Sequence, residues 1–488
     1  MKKTILFLAT LLVAGVANAS IKNVKYATLG TPGGNATYDA STGSYSWTAN
    51  NNNLMQLFSF ENGELANYTK LTLKITATSG NVRVNFVYGT GSSDNLSYNG
   101  TSEGGYFGST GTKEISLSGL ETVLKGKSKT LSDVTAIRFG GDGSSNTGTW
   151  TIKWSDVYLE NDDDAVLTAL FGSIGGNASY SVPNYSCIQT GSNNLMDVYT
   201  GAAGDFSKYS NGVLQFTISD LSSGNMVRVG YHNGSSFSEF GSGFGSSGTK
   251  TVDISAQSSN AAAATMIKFG AKSGTAASPF VTIRPDQMYL VRSEAYTREF
   301  TQDQKSTVWL PFALTAEEVA AVAGKFYELT AADGASLTFT EVTGATEAYK
   351  PYVFVASSTG TPFSGMKSKT IVAPKACSYT VGDYTFVGSM KDTTVPNGAY
   401  GYNSTNGAFS KTKSDAVTIA PFRAYITYNG GAGARELNCI FSDDETTGIE
   451  TVRQGQQQDG VMYNLQGQRV GQSHKGLFIM NGRKYVVK

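Results

Sequence analysis

The feature that most constrains the fold of this chain is an internal repeat. Residues 33–38 read GGNATY, and residues 175–180 read GGNASY. Five further segments return in the same order, each about 130 to 145 residues later. Solenoid repeats are only about 20 to 50 residues long, so a period of this length indicates a duplicated domain. The five further segments begin at Asn52, Ser79, Gly108, Ile137 and Thr151 and return at Asn193, Ser223, Gly245, Ile267 and Thr282.

Each copy has the apolar pattern of β-strands. Residues 71–76, 82–86 and 112–117 alternate apolar and polar side chains, as half-buried strands do. Clusters of Gly, Ser and Asn supply turns, and neither copy contains a convincing helical pattern. We therefore predict an all-β fold with two tandem antiparallel β-sandwiches of jelly-roll type. The predicted boundaries are 20–160 for repeat 1, 161–165 for an acidic linker and 166–294 for repeat 2. The last strands of the two repeats are predicted at 149–160 and 280–292. We interpret the linker as a solvated segment rather than as a cation site.

The first twenty residues have the layout of a secretory signal peptide. Lys2 and Lys3 are positively charged, residues 5–17 form a short apolar run, and small side chains precede a cleavage point between Ala19 and Ser20. The run is shorter than the roughly 20 apolar residues that a transmembrane helix needs. We expect residues 1–19 to be removed and the mature chain to be exported without a transmembrane span.

The composition argues against several classes of function. Lys plus Arg and Asp plus Glu number 38 each, so no overall charge favours nucleic acid. The chain has two histidines, His232 and His474, and its three cysteines, Cys187, Cys377 and Cys439, lack zinc-site spacing. No motif of a nucleophilic, metal-dependent or nucleotide-binding enzyme is present. We expect a non-catalytic protein without a cofactor. Cys377 and Cys439 are either free thiols or a disulfide.

The closing strands of each copy resemble those of jelly-roll carbohydrate-binding modules. Residues 137–140 read IRFG, and residues 151–159 read TIKWSDVYL. The resemblance extends over most of each copy and implies a β-sandwich that binds glycans. Some of these modules hold a structural calcium through an aspartate of the last strand, and Asp156 and Asp286 match that position. Residues 26–34 lack the acidic partner expected near the first strand, so the sequence disfavours calcium.

Alternation along residues 82–86 predicts which side chains could contact a sugar. If the valines face the core, Arg83 and Asn85 lie on the outer face of the sheet, and Arg228 and His232 lie on that face in the second copy. Aromatic rings that line a binding site are the other candidates, although core packing competes with ligand contact for each ring. The aromatic candidates for ligand contact are Tyr88, Tyr106, Tyr231 and Phe244, and further aromatics of these copies are Tyr45, Trp47 and Phe240.

Residues 295–445 form a third predicted domain that is rich in strands. A short helix is predicted after Thr315, because Thr315 and Glu318 form a capping box. The segments VWLPFALTAEEV, KPYVFVA and APFRAYITY resemble a C-proximal β domain of large secreted and surface proteins with type IX export in Gram-negative bacteria. This resemblance implies a spacer or accessory module. The predicted strands span residues 326–329, 337–342, 352–355, 384–387 and 424–428.

A linker at 446–460 and a tail at 461–488 follow the third domain. The tail contains YNLQGQRV at 463–470, KGLFIMNG at 475–482 and KYVVK at 484–488. It is similar to the C-terminal sorting domain of type IX secretion. The similarity implies recognition by the secretion machinery and a location that is secreted or at the outer surface of a Gram-negative bacterium. The alternative is an extra hairpin that pairs with the third domain.

Three functions are compatible with the sequence. The favoured one is a non-catalytic surface or secreted protein that binds glycans through both sandwiches, which would then gain by avidity. The second is a structural adhesin or surface protein with protein partners. The third is a glycosidase, whose two carboxylates leave no sequence signature. Aromatics on one exposed sheet face would favour glycans, whereas buried aromatics and a polar face would favour the structural function.

Overall fold

The computed structural model describes residues 21–39, 42–48, 54–61, 63–91, 93–141, 147–172, 179–181, 186–188, 195–274, 280–375, 378–404, 407–413, 417–430, 433–442, 449–452, 462–464, 469–470, 475–480 and 483–487. The predicted cleavage point between Ala19 and Ser20 lies outside these residues. The chain divides into two compact units, one of Met1–Arg298 with Phe363–Ala376 and one of Glu299–Pro362 with Cys377–Lys488. In the described part of the chain, no helix is both long and apolar enough to cross a membrane.

Repeat 1 forms a two-sheet antiparallel sandwich, called sandwich 1. Its strands are β1 (Asn23–Tyr26), β2 (Ala36–Asp39), β3 (Ser44–Trp47), β4 (Leu54–Ser59), β5 (Lys70–Ser79), β6 (Val82–Val87), β7 (Asn95–Ser97), β8 (Gly111–Ser116), β9 (Ala136–Gly141) and β10 (Gly148–Asn161). The larger sheet has the order β2-β3-β10-β5-β8, with β1 paired to β10, and the smaller sheet has the order β4-β9-β6-β7.

Repeat 2 forms sandwich 2 with the same strand order. Its strands are β11 (Val166–Thr168), β12 (Ser179–Ser181), β13 (Ser186–Ile188), β14 (Leu195–Thr200), β15 (Val213–Leu221), β16 (Met226–His232), β17 (Phe237–Glu239), β18 (Gly248–Asp253), β19 (Met266–Ser273) and β20 (Val281–Val291). The sheets run β12-β13-β20-β15-β18, with β11 on β20, and β14-β19-β16-β17. The predicted all-β fold with last strands near 149–160 and 280–292 is confirmed.

The two sandwiches also share their irregularities. The pairing of β4 with β9 shifts register between Gln56 and Phe58, and the pairing of β14 with β19 shifts between Asp197 and Tyr199. Such a bulge lets two consecutive side chains face the same way. Leu57 and Phe58 are accordingly both buried. Sequence and backbone therefore give the same equivalence between the copies.

Each sandwich closes around aromatic and aliphatic side chains from both sheets. In sandwich 1, Phe139 of the smaller sheet meets Trp150 of the larger sheet edge-on, with ring centroids 5.8 Å apart. In sandwich 2, Phe269 meets Phe216 in the same way at 5.5 Å. Each fully buried side chain of this kind contributes about 1.5–3 kcal/mol to folding. The outward-facing positions are left free for other roles.

One expectation was wrong, because sandwich 1 contains a helix. Helix α1 (Leu117–Lys125) follows β8 and buries Leu117, Leu120 and Leu124. This spacing gives one apolar stripe. The stripe was missed because Leu117 also completes the alternation of the preceding strand. The other helices of this unit are α2 (Ser258–Ala261), α3 (Glu294–Thr297) and the 3-10 turns Glu64–Asn67, Leu131–Asp133, Asp205–Tyr209, Ser255–Gln257 and Ser364–Met366.

In its described residues, the second unit consists of a ten-stranded, mostly antiparallel sheet, a two-stranded sheet, the small C-terminal sheet and one short helix. Its elements are β21 (Lys305–Val308), α4 (Ala316–Ala321), β22 (Gly324–Asp333), β23 (Ser336–Glu341), β24 (Tyr352–Ala356), β25 (Ser378–Val381), β26 (Tyr384–Gly388), β27 (Thr393–Thr394), β28 (Tyr400–Asn403), β29 (Ala408–Lys411), β30 (Thr418–Ile419), β31 (Ala424–Tyr428) and β32 (Glu436–Phe441). The strand order is β21-β24-β22-β23-β32-β29-β28-β31-β26-β25, and β27 pairs with β30. The five predicted strands and the Thr315–Glu318 capping box are confirmed.

The C-terminal residues form a small separate sheet. Its strands are β33 (Ile449–Val452), β34 (Met462–Tyr463), β35 (Arg469–Val470), β36 (Gly476–Met480) and β37 (Arg483–Val487), in the order β33-β37-β36-β34-β35. Strand β33 pairs in parallel with β37. The segment interpreted as a linker thus contributes a strand to the sheet of the tail.

Candidate functional site

The outer face of the smaller sheet of sandwich 1 brings several predicted residues together. Val82, Val84 and Phe86 are fully buried, so Arg83 and Asn85 project from the opposite side of β6. The strand register places Arg138 opposite Asn85 and Gln56 opposite Arg138. Asn85 is itself almost covered, and its Nδ2 donates to Asn95 Oδ1 at 2.8 Å. We call this surface face 1: Gln56, Arg83, Asn85, Asn95, Ser97 and Arg138.

Tyr106 stands at the edge of face 1. The next residue, Phe107, exchanges two backbone hydrogen bonds with Val82, at 3.0 and 2.7 Å. Val82 and Phe107 both pack on the core, so alternation places Tyr106 on the side that carries Arg83. The Tyr106 side chain is 51 % exposed. Face 1 therefore combines an exposed aromatic ring with arginine and amide groups.

The charge on face 1 is uncompensated. Arg83 and Arg138 are half-buried, and neither makes an ion pair or hydrogen bond to another described residue. No outward position of β4, β6, β7 or β9 carries a carboxylate. The closest carboxylate in sequence to Tyr106 is Glu103, which pairs with Lys127 at 2.7 Å. Both guanidinium groups therefore keep unused hydrogen-bond donors.

On the equivalent surface of sandwich 2, both lysines have carboxylate partners. Lys268 Nζ lies 2.6 Å from Asp197 Oδ1, and Lys272 Nζ lies 2.6 Å from Glu239 Oε1. The Arg228 guanidinium carbon lies 4.9 Å from the centroid of the Phe237 ring, a cation–π distance. We call this surface face 2: Asp197, Arg228, His232, Phe237, Glu239, Lys268 and Lys272.

His232 lies on face 2, on the same side of β16 as Arg228. Its Nδ1 accepts a hydrogen bond from the Gly234 backbone at 3.0 Å. Partial burial lowers the pKa of His232, and the nearby positive charge of Lys268 lowers it further, while Asp197 opposes the effect. His232 is therefore biased toward the neutral form near neutral pH.

The remaining aromatic candidates lie in or against the cores. Tyr231 is 1 % exposed and packs edge-on against Phe240, and burial raises the pKa of Tyr231. Phe244 packs against Phe216 at 5.2 Å. Tyr88 is half-buried, with its hydroxyl 3.4 Å from the Asn95 carbonyl oxygen. For these rings the structure supports the packing alternative. Tyr45, Trp47 and Phe240 are likewise buried.

The two aspartates considered for calcium do not occupy equivalent positions, which corrects the sequence comparison. Strand β10 pairs Ile152 with Ile75 and Val157 with Leu73, so the four residues 153–156 bulge out opposite a single residue of β5. The matching bulge of β20 spans residues 284–287. The shared register makes Asp156 equivalent to Gln287, while Asp286 is equivalent to Ser155. Asp286 is ion-paired with Arg284 at 2.8 Å. Among the described residues, no group of three or more His, Cys, Asp or Glu side chains is placed to hold a metal ion.

The acidic linker is tied to neighbouring cations. Asp162 pairs with Lys22 at 2.7 Å, and Asp164 pairs with Lys208 at 2.7 Å and with the buried Arg292 at 2.9 Å. The linker carboxylates are therefore partly used in ion pairs rather than simply solvated.

Cys439 is a free thiol. It is half-buried, and burial raises its pKa to about 12. Cys377 lies outside the described residues.

Several residues of the two faces are not among the candidates predicted from the sequence: Gln56, Asn95, Ser97 and Arg138 of face 1, and Asp197, Phe237, Glu239, Lys268 and Lys272 of face 2. Arg138 was part of the repeated IRFG segment, and Lys268 stands at the same place in the second copy. Alternation about the buried Phe139 would have placed Arg138 outward. Gln56 could not have been found in this way, because the bulge after it interrupts the alternation.

Comparison with known proteins gives little further information. No protein-family model matches the chain, and no curated protein matches it. Among solved structures, a chain described as a secreted protein of Parabacteroides distasonis is similar at 9 % sequence identity and a TM-score of 0.14. The similarity covers 56 % of this chain and 92 % of that chain. A likeness at this level carries no argument about function.

Proposed function

We propose that this chain is a non-catalytic binding protein that presents face 1 to a glycan. The observation that carries the proposal is the exposed Tyr106 beside Arg83 on a polar face without carboxylates. An exposed aromatic ring can pack on the apolar side of a sugar ring, while a few placed polar groups fix its orientation. Gln56 and Arg138 would supply those polar groups from neighbouring strands.

The chemistry of face 1 favours binding over catalysis. Glycoside hydrolysis uses two carboxyl groups about 5 to 10 Å apart on either side of the bond that breaks. The outward positions of β4, β6, β7 and β9 carry none. These positions lie on paired strands, which hold side chains more firmly than loops do. Face 1 thus suits recognition of a ligand without turnover.

Sandwich 2 is better suited to a structural role, the second function considered from the sequence. Its outer face is engaged in its own ion pairs. Its buried Gln215 also binds the backbone at Ile371: Gln215 Nε2 donates to the Ile371 carbonyl oxygen at 3.0 Å, and the Ile371 N–H donates to Gln215 Oε1 at 2.7 Å. Lys367 adds an ion pair to Asp253 at 2.9 Å. We assign sandwich 2 the role of a rigid support.

We further propose that the protein acts outside the cell, with the C-terminal tail as the address for the outer surface. The support is the signal-peptide pattern at residues 1–19 and the likeness of residues 461–488 to a sorting domain. Mass spectrometry of the protein from the native cell surface tests this. The expected result is a new N-terminus at Ser20. Retention of the protein in the periplasm with its C-terminus at Lys488 would contradict surface sorting.

A glycan array probed with the full chain tests the binding function. We expect Tyr106→Ala to lose about fivefold or more in affinity for any glycan that the parent chain binds, by analogy with the roughly 1–3 kcal/mol that a nucleobase gains by stacking on an aromatic side chain. Tyr463→Ala is the matched control, because Tyr463 is also exposed, at 41 %, but lies in the tail. Absence of binding to every glycan, or an equal loss in both variants, would count against face 1.

A further inference from the structure

Face 1 carries positive charge that nothing in the described sandwich neutralises. The chain as a whole is balanced, with 38 basic and 38 acidic residues. The charge of face 1 is therefore a local property. Arg83 and Arg138 point outward from adjacent strands without an ion pair, and Arg83 Nε is shielded from solvent without a hydrogen-bond partner in the described residues. The remaining N–H donors of the two guanidinium groups are the ones available to an incoming acceptor.

The two arginines are placed to share one anionic group. Arg83 is opposite Gly140, and Arg138 is two residues before Gly140 on the same strand. Such diagonal neighbours lie about 7–8 Å apart at their bases, within reach of long side chains. Gly140 has no side chain to occupy the space beside Arg83. Guanidinium groups match carboxylate and sulfate oxygens with two parallel hydrogen bonds.

Sandwich 2 indicates that this charge is not a requirement of the fold. The position of Gln56 is taken there by Asp197, which neutralises Lys268 at 2.6 Å. The position of Ser97 is taken by Glu239, which neutralises Lys272. Arg228, the equivalent of Arg83, lies over the Phe237 ring. The same backbone thus carries two ion pairs and one arginine on face 2, whereas face 1 carries two arginines and no carboxylate.

We infer that the ligand of face 1 is an acidic glycan, whose carboxylate or sulfate group binds between Arg83 and Arg138 while a sugar ring packs on Tyr106. This inference rests on the proposed glycan-binding function and adds the chemical class. A flexible acidic peptide would satisfy the arginines equally but would leave Tyr106 without a ring to stack against. The exposed tyrosine therefore favours a sugar.

Matched polymers test the inference with the full chain by affinity electrophoresis and calorimetry. Dextran sulfate against dextran isolates the sulfate, and polygalacturonate against its methyl ester isolates the carboxylate. We expect binding to at least one acidic polymer and at least tenfold weaker binding to its neutral partner. Arg83→Gln or Arg138→Gln should each lose about tenfold or more, the range for a charge-assisted hydrogen bond, and the double variant should lose detectable binding.

Controls separate a built site from general attraction. Arg228→Gln and Lys268→Gln remove the equivalent charges from face 2 and should leave affinity within about twofold. Equal losses from either face would overturn the inference. Neutral polymers bound as tightly as acidic ones would overturn the acidic class but keep the glycan function, whereas no bound polysaccharide would overturn both. Binding of poly-glutamate that is insensitive to Tyr106→Ala would replace the glycan by an acidic protein. Unchanged thermal midpoints verify that each variant is folded.

Discussion

In sandwich 1, Arg138 of β9 lies opposite Gln56 of the neighbouring strand β4. At the same place in sandwich 2, Lys268 Nζ lies 2.6 Å from Asp197 Oδ1. The strand order, the bulges and the buried positions are otherwise alike in the two copies. Outward side chains of a strand do not pack the core, so they can change without changing the fold. Duplication therefore supplied two scaffolds, and the outer side chains left only one of them open to an acidic partner.

The largest expected effect concerns one buried core position, which Phe86 occupies in sandwich 1 and Tyr231 occupies in sandwich 2. The Tyr231 hydroxyl is buried and makes no hydrogen bond within the described residues. Phe86→Tyr should introduce the same unsatisfied group and destabilise sandwich 1 by about 1–3 kcal/mol. Hydrogen-exchange mass spectrometry of β6 and β16 reports the two sandwiches separately. Tyr231→Phe is the reciprocal control and should leave sandwich 2 equal or more stable. Unchanged protection of β6 in Phe86→Tyr would mean that the cores differ.

A second prediction concerns a variant that gives face 1 the carboxylate found at the same place on face 2. Gln56→Asp should place a carboxylate opposite Arg138, as Asp197 stands opposite Lys268. We expect about tenfold weaker binding of the acidic polymer, or about 1.4 kcal/mol, because the new carboxylate competes with the ligand. Calorimetry measures the affinity, and Gln56→Asn is the uncharged control. Equal affinities for the two variants would show that Arg138 does not contact the ligand.

A third prediction works in the opposite direction. Asp197→Asn removes the partner of Lys268 and should create a weak second anion site on face 2. The gain should be about two- to fivefold in apparent affinity, since a partly exposed ion pair is worth roughly 0.2–1 kcal/mol. Asp220→Asn is the control, because Asp220 is an exposed acid of the other sheet. A similar gain in the control would point to net charge rather than to the released lysine.

The smallest expected effect is a pH dependence confined to sandwich 2. The folded state lowers the pKa of His232 below its usual 6.5, chiefly through burial and then through Lys268. The unfolded chain therefore takes up a proton more readily, and the stability of sandwich 2 should fall as pH decreases from about 6.5 through the folded pKa. Val87 stands at this place in sandwich 1, so β6 should not respond in this way. Exchange protection of β16 between pH 7.5 and 5.5 measures the effect, and His232→Asn should abolish it.

Much of the fold could be predicted from the sequence because its signals are local. Alternation at residues 82–86 placed Arg83 outward, and the capping residues Thr315 and Glu318 located helix α4. Helix α1 was missed because Leu117 fits a strand and a helix equally well. Strand β33 was missed because its pairing with β37 joins residues more than thirty positions apart, which no local pattern records.

The candidate site was less predictable than the fold. The sequence predicted two equivalent sites, but whether an outward arginine is free depends on the side chain across the strand. That partner is set by register, and the bulge after Gln56 shifts the register by one residue. Alternation also could not tell that Asn85 is nearly covered or that Tyr231 fills the core, because burial at these positions depends on neighbouring strands.

The shared bulges indicate the order in which the bulge, the duplication and the difference in charge between the faces arose. A bulge is an extra residue in the backbone, and the two copies carry it at the same point of β4 and β14. Two independent insertions at one point are less economical than a single ancestor that already had the bulge before the gene segment doubled. The difference in charge between the two faces, with an aspartate and a glutamate on face 2 and none on face 1, then arose after the doubling. The divergence in charge is thus the younger trait, and homologues with a single copy would reveal which face is the older one.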